Sequence, residues 1–401
     1  MSFKLKEFEG KNLLKQFGIK IPSSKLVTSI NELNSINNAV VKSQILSGKR
    51  ARNNGVKICN SNEEIKNYVN EILNKKILDE TVKEVLVEEK IDIIEEHYIA
   101  FMFNTKEKCP QLIISKNGGV DIEEFHRENP EELLIKNINA LTGLKEQEII
   151  RELKKIGFKN NIKELAETIL KLYKCFEEND LKLLEINPLA CSSNNEYIAL
   201  DCVAIIDSDA LGRHNFNFPP RIGFREPTLR EIEARKIDEH DYRGVAGKTF
   251  LDLDGDMAIL ASGGGASIVC MDALLTYNGK PANFTEYSGN PSKEKVKKLA
   301  LLTLSKSNLN GLWIVGGTAN FTDIEETFKG LIEAFKEINP KYPIVIRRAG
   351  PNDKKAFELI KKATKEYNWN IHLFDENTPM TVTAKTIVDL ADEYKKNNHK
   401  K

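Results

Sequence analysis

Apolar and polar positions alternate differently in the two halves of this chain. In the first half, short apolar-rich runs at 39–45 (AVVKSQI), 84–89 (EVLVEE), 97–103 (HYIAFMF) and 111–115 (QLIIS) each predict a strand. Helical spacing appears at 7–20, where Leu13, Leu14 and Phe17 share a face before Gly18 and Pro22 stop the run. It appears again at 62–74 and across 146–176. Strands with helices to one side describe an α+β module. From Met257 the rhythm becomes strand, glycine-rich turn, helix, repeated three times: MAILASGGGAS then IVCMDALLTY, GLWIVGGTANFT then DIEETFKGLIEAF, and YPIVIRRAGPN then DKKAFELIKKA. Such units predict a parallel, doubly wound sheet whose ligands bind at the carboxyl ends of the strands. The expected class is α/β with an α+β first half. The stretch 212–227, GRHNFNFPPRIGFREP, is rich in turn formers and reads as a linker, and the Lys-rich tail from 394 as a frayed end.

Residues 183–201, LLEINPLACSSNNEYIALD, form a predicted hairpin with turn chemistry at SSNN. A turn centred on Asn194 sets Asn187 opposite Asp201, with Cβ atoms about 5 Å apart. An amide oxygen and a carboxylate at that separation suit a hard cation such as Mg²⁺. A hairpin that simply ends in polar residues is the alternative reading of this stretch taken alone.

Composition narrows the classes. Lys plus Arg equals Asp plus Glu at 59 each, so no global field favours nucleic acid or an anionic membrane. The start lacks an apolar signal core and no run approaches eighteen apolar residues, which predicts a cytoplasmic protein. Six cysteines without CxxC spacing read as reduced thiols, mostly buried.

Candidate chemistry follows the turns. Lys42 on a strand, with Gly48, Lys49, Arg50 and Arg52 in the loop after it, suits polyphosphate, although a solvated basic turn is the commoner role of such a loop taken alone. Glu88 and Glu96 stand where carboxylates accept from ribose hydroxyls, or are surface charge. In the second half GGGAS (263–267), EYSGNPS (286–292) and GGTANFT (316–322) offer backbone donors at helix starts, and Arg347 and Arg348 end the next strand. Together these fit a polycarboxylate, whose planar groups match guanidinium bidentately. None of the six histidines lies in a glycine-rich loop, and His372 on IHLF reads as a packed core residue.

Along nearly its whole length the sequence resembles the β subunit of succinyl-CoA synthetase, an ATP-grasp protein. FEGKNLLKQFGIKIP, VVKSQILSGKRARNNGVKI, VLVEEKIDIIEEHYI, SKNGGVDIE and LLEINPL ending at Asp201 carry that resemblance. The C-terminal runs SGGGAS, EYSGNPS, GGTANFT, TFKG and RRAGPN look instead like ATP-citrate lyase and its relative citryl-CoA synthetase. The resemblance implies an ATP-grasp domain over 1–213 with a lid at about 21–95, a linker over 214–247, and a flavodoxin-like, citrate-binding CoA-ligase domain over 248–401. It further implies that Lys42, Lys49, Arg50, Ala51, Glu88, Ile91 and Glu96 bind ATP, and that Asn187 and Asp201 hold Mg²⁺. Glu185 would orient a histidine of a partner subunit for phosphorylation. Ser288, Gly289, Asn320, Phe321, Thr322 and Arg348 would bind citrate. Coenzyme A would enter through the partner, which also carries the histidine this chain lacks and, in a lyase, a citrate-synthase-like domain. The loop GKRAR departs from the family's GGRGK, and Ile91 stands where threonine is frequent; both bear on nucleotide preference.

The expected activity is therefore ATP-dependent citrate activation through a phosphohistidine and citryl phosphate, as in ATP-citrate lyase. The alternatives are a citryl-CoA synthetase subunit without cleavage, a succinyl- or malate-specific ligase subunit, and a non-catalytic citrate or nucleotide sensor.

Overall fold

A computed structural model describes residues 2–33, 36–78, 80–120, 122–129, 132–159 and 161–398. The chain divides into two compact units, Met1–Glu226 and Pro227–Lys401.

The first unit is built on an antiparallel sheet with strands in the order Ser2–Lys4, Val203–Asp207, Leu181–Ser192, Ile93–Asn104, Cys109–Ser115, Leu133–Asn137, with Tyr197–Ala199 paired to the far end of Leu181–Ser192. Period-two alternation sends Ile99, Phe101, Leu112, Ile114, Leu184 and Ile186 into one core, against Leu165, Ile169, Leu172 and Phe176 of the helix Ile162–Glu178. The helical stretch expected over 146–176 is two helices, Glu146–Lys155 and Ile162–Glu178. They part at Gly157, whose positive φ of 82° suits the residue after a helix C-cap. Ser24–Val27, Val85–Glu89, Ala39–Ser43 and Val56–Cys59 form a second antiparallel sheet. The helix Asn62–Ile72 packs with it, and Val27, Val41, Ile65, Val69 and Val87 give it a core of its own.

The second unit holds a parallel sheet, Met257–Ser262, Gly311–Thr318, Ile344–Ala349 and Ile371–Phe374 in that order. Parallel bridges Met257 to Pro281 and Ala261 to Glu286 add the 281–286 segment outside the first strand. The spatial order is thus second, first, third, fourth, fifth, which is flavodoxin-like, with the topological switch between Met257–Ser262 and Gly311–Thr318. Both faces are covered, which is why these strands read as continuous apolar runs. Leu260, Ile314 and Ile346 pack with Leu299, Phe328 and Ile360, whereas Ile259, Trp313 and Val345 pack with Cys270, Leu274 and Ile387.

Three expectations need adjustment. The stretch 214–247 is shared between the units: Arg221 is buried in a bidentate pair with Glu9 at 2.6 and 2.7 Å, and the helix Leu229–Lys236 contributes Ala234 to the second core. The tail does not fray at 394, because the helix Met380–Asn398 continues through it; residues 399–401 lie outside the described residues. His372 is half-buried and its Nε2 bonds Asn370 Oδ1 at 3.0 Å, so it is not a core residue. All six cysteines are free thiols, and only Cys109 is not buried.

Candidate functional site: a paired charge cluster and an unpaired arginine

The predicted hairpin register is present. Leu189 pairs with Ala199 and Cys191 with Tyr197, and Glu185 pairs with Val203 on the same strand, so every pair is centred on Asn194. Asn187 and Asp201 lie between these pairs, where Leu200 N donates to Pro188 O at 3.1 Å and the Asn187–Pro188 bond is cis. Their side chains are committed differently. Asn187 Oδ1 accepts from Gly119 N at 2.7 Å and its Nδ2 donates to Val120 O at 3.0 Å. Asp201 Oδ1 accepts from Cys202 N at 2.7 Å and from Arg50 Nη2 at 2.9 Å, and a third of its side chain remains exposed.

Arg50 belongs to a larger cluster in which three cations meet three carboxylates. Its Nη2 also approaches Glu7 Oε2 at 2.7 Å as an ion pair, and its Nη1 donates to Ser43 O at 2.9 Å. Lys42, 8% exposed, donates to Glu7 Oε1 at 2.8 Å and to Leu200 O, and pairs with Glu88 Oε2 at 2.8 Å. Lys11 does the same from the other side, meeting Glu7 Oε1 at 2.7 Å, Glu88 Oε1 at 2.6 Å and Leu200 O at 2.7 Å. Each ammonium has thus used its three protons. Burial alone would push the Lys42 pKa down, but Glu7, Glu88 and Asp201 outweigh it and hold it above lysine's usual value. Burial likewise opposes ionisation of Glu7, yet Lys11, Lys42 and Arg50 hold its carboxyl well below the carboxylate range.

The structure therefore gathers Lys42, Arg50, Glu88 and Asp201 of the expected site in one place. Glu96, half-buried, joins Asn187 around the glycine turn: Gly118 N donates to Glu96 O at 2.8 Å, and Glu96 Oε2 lies 2.5 Å from where a Cβ on Gly119 would sit. Lys49 and Ala51 are exposed on the basic loop outside the cluster, Lys49 with a φ of 58°. Ile91 is half-buried between the strands Val85–Glu89 and Ile93–Asn104. Glu185 is half-buried on the sheet face that carries Val203. Glu7 and Lys11 were not picked out by sequence reasoning. The signal was there: spacing 7, 11, 14 puts both charges on the same helix face as Leu14, where a buried charge demands partners.

In the second unit the three motif turns converge at the carboxyl ends of the strands. Asn290 Oδ1 accepts from Asp323 N at 3.1 Å, joining the EYSGN and ANFT turns, and Ala319 N donates to Ala349 O at 2.9 Å, joining ANFT to RRAG. Ser288 exchanges backbone bonds with Val245, and Gly289, at a φ of 68°, packs against Gly244. Asn320 and Phe321 are exposed, the ring by 67%, whereas Thr322 is buried. The arginine doublet separates into two roles. Arg347 donates to Thr378 O, Gly316 O and Glu376 O at 2.8–3.0 Å, one backbone carbonyl for each of its three nitrogens. Arg348 is 1% exposed, and its Nε and Nη2 have no hydrogen-bond partner. Its guanidinium lies 5.6 Å over the Tyr287 ring, whose hydroxyl is also buried and unpartnered. Gly316 makes room for it, since a Cβ there would stand 2.0 Å from Arg348 Nη1.

Comparison with known proteins agrees with this division. A sequence model of the ATP-grasp domain matches residues 4–191, and one described as ATP citrate lyase citrate-binding matches residues 225–391. The succinate–CoA ligase (ADP-forming) β subunit of Methanocaldococcus jannaschii is 32% identical over 90% of this chain and 94% of its own length. The chain belongs to the succinate–CoA ligase β-subunit family. Within that family the β subunit of Halalkalibacterium halodurans is 33% identical, covering 96% of this chain and 98% of its own. In fold, the chain matches ATP citrate lyase from Methanothrix soehngenii, a structure containing citrate and coenzyme A. That match has a TM-score of 0.80 and 24% identity, and covers 98% of this chain and all of that one. The ATP-grasp domain marks this family member as an ATP-using ligase. No helix of the described residues is long and apolar enough to cross a membrane.

Proposed function

We propose that this chain is the ATP-grasp, citrate-binding subunit of an ATP-citrate lyase-type enzyme. The observation that carries the reading is Arg348: a sealed guanidinium with two unpartnered donors, at the switch-point end of a doubly wound sheet. A buried, unpaired cation is costly, and a carboxylate ligand removes that cost while supplying the missing bonds. Ser288, Gly289, Asn320, Phe321 and Thr322 supply the remaining contacts in this reading, and a tricarboxylate engages more of them than a dicarboxylate.

In the first unit Lys42, Lys49, Arg50, Ala51, Glu88, Ile91 and Glu96 receive ATP. The hard oxygens of Asn187 and Asp201 suit Mg²⁺, which would take the second carboxylate oxygen of Asp201 or displace Arg50 from the first. Such an ion would neutralise charge on the nucleotide's phosphoryl groups. A partner-subunit imidazole, oriented by Glu185, attacks the γ-phosphorus: an N–P bond forms and the bridging oxygen leaves with its electron pair on ADP. A citrate carboxylate oxygen then displaces the imidazole, giving citryl phosphate. The dipole of the helix Lys293–Leu304, capped by Ser292, favours that phosphoryl group at its N-terminus. Coenzyme A attack, and any cleavage, take place on the partner. A citrate-synthase-like domain in the co-purified partner would indicate the lyase, and its absence a citryl-CoA synthetase.

A second reading, a succinate-specific ligase subunit, is favoured by the 32% and 33% identical relatives. Calorimetric titration of the chain separates the two. Citrate bound at least about tenfold more tightly than succinate supports the first; equal affinities remove it.

A further inference from the structure

We propose that Lys4 is a catalytic residue of phosphoryl transfer, its ammonium binding the equatorial oxygens of the phosphoryl group as it passes to the imidazole. This rests on the relay reading, in which Glu185 orients that imidazole. Register places the two side chains together. Lys4 pairs with Ile205, Ile205 also pairs with Leu183, and Val203 pairs with Glu185. Directly opposed residues, and residues two apart on one strand, share a sheet face, so Lys4, Ile205, Val203 and Glu185 all stand on the same one. Glu185 is two strands across, about 10 Å, and one residue pair along, about 7 Å, with only Val203 and Ile205 between. Lys4 and Glu185 thus flank Val203 and Ile205 on one face of the sheet.

The ammonium is also unspent. The Lys4 backbone is fixed, N donating to Gly223 O and O accepting from Arg221 Nη1 at 2.9 Å. Among the described residues its Nζ has no hydrogen bond or ion pair, and its near neighbour is the Phe224 ring, centroid 5.7 Å away. Lys4 is nevertheless half-buried within electrostatic range of Glu185, Asp201, Glu80 and Arg50. Burial first, and Arg50 second, push its pKa below lysine's usual value, against the pull of the three carboxylates. A partly desolvated cation with no hydrogen-bonded or ionic partner, within electrostatic range of Glu185 and Asp201, gains most from an anion that is present only during transfer. Lys42 and Lys11, whose protons are all taken by Glu7, Glu88 and Leu200 O, lack this freedom.

The test runs the reaction backwards on the full chain. With Mg²⁺ and ADP, N-phosphoimidazole is the donor: its N–P bond breaks, the ADP β-phosphate oxygen forms the new O–P bond, and ATP is measured as imidazole leaves. Lys4→Met is expected to lower kcat at least about tenfold while the MgADP dissociation constant, measured by calorimetry, moves less than about twofold. Lys4→Arg should keep kcat within about threefold of the wild type, and it also serves should Lys4→Met not fold. Wild-type kcat in Lys4→Met, or a loss matched by weaker MgADP binding, overturns the proposal and leaves the relay standing. A wild-type chain that binds MgADP yet makes no ATP from phosphoimidazole sinks the relay reading, and the role of Lys4 with it.

Discussion

In the first unit Lys11, Lys42 and Arg50 are buried against Glu7, Glu88 and Asp201, three charges facing three, whereas in the second unit Arg348 is as deeply buried and faces no carboxylate among the described residues. The first arrangement is neutral and internally satisfied, so a polyphosphate entering it must exchange one set of partners for another. The second is incomplete, and a carboxylate adds bonds there without breaking any. Desolvation costs both sites dearly, but only the paired one recovers that cost in the unliganded protein. Nucleotide binding should accordingly be coupled to rearrangement of the basic loop, and citrate binding to an opening of the turns that seal Arg348, with no ion pair to break.

The contrast can be broken most forcefully at Glu7. Glu7→Ala leaves Lys11, Lys42 and Arg50 with an excess of buried positive charge, and a loss of about 3–5 kcal/mol of folding stability is expected by urea denaturation. Loss of less than about 1 kcal/mol would mean that the cluster is not an interdependent network. Arg348→Met should do the reverse. Citrate affinity falls about 100-fold, or about 2.7 kcal/mol, while the melting temperature holds or rises because an unpaired charge has been removed. A melting temperature that drops sharply would show that Arg348 has structural partners after all.

Gly316→Ala sharpens the same point without touching charge. The added methyl meets Arg348 Nη1 and displaces the guanidinium, so citrate binding weakens about tenfold in titration, an overpacking effect of about 1–3 kcal/mol. The smallest effect is that of pH. Glu7 ionises in the folded state well below its unfolded value of about 4.3, so its contribution is complete above that value and is lost as pH falls through the folded pKa. Urea midpoints measured downward from pH 6 should fall below about pH 4.3 in the wild type, and this component should vanish in Glu7→Gln.

Much of the fold was written in local pattern. Short apolar runs placed the strands at 39, 85, 97 and 111 within a few residues, and three strand–turn–helix units foretold the parallel sheet. The hairpin register followed from the turn residues alone, because a short turn leaves the facing strands one compatible alignment. Chain endings and joins were less legible. The 214–247 stretch looks like a linker in composition, and long-range contacts such as the pair of Arg221 with Glu9 assign its start to the first unit.

The candidate sites divide along the same line. Sequence alone named Lys42, Arg50, Glu88 and Asp201 and put Arg347 beside Arg348, because residue type and motif order are local properties. What each charge meets was settled only by tertiary structure. Lys42 reaches Glu7 across 35 positions and Leu200 O across 158, and no window of sequence encodes which donors such contacts consume. Adjacent arginines point to opposite faces of one strand, and the backbone at Thr378, Gly316 and Glu376 happens to meet only the first. Hydrophobic periodicity decides where a side chain is buried; whether a buried charge is already satisfied depends on partners that only folding brings within 3 Å.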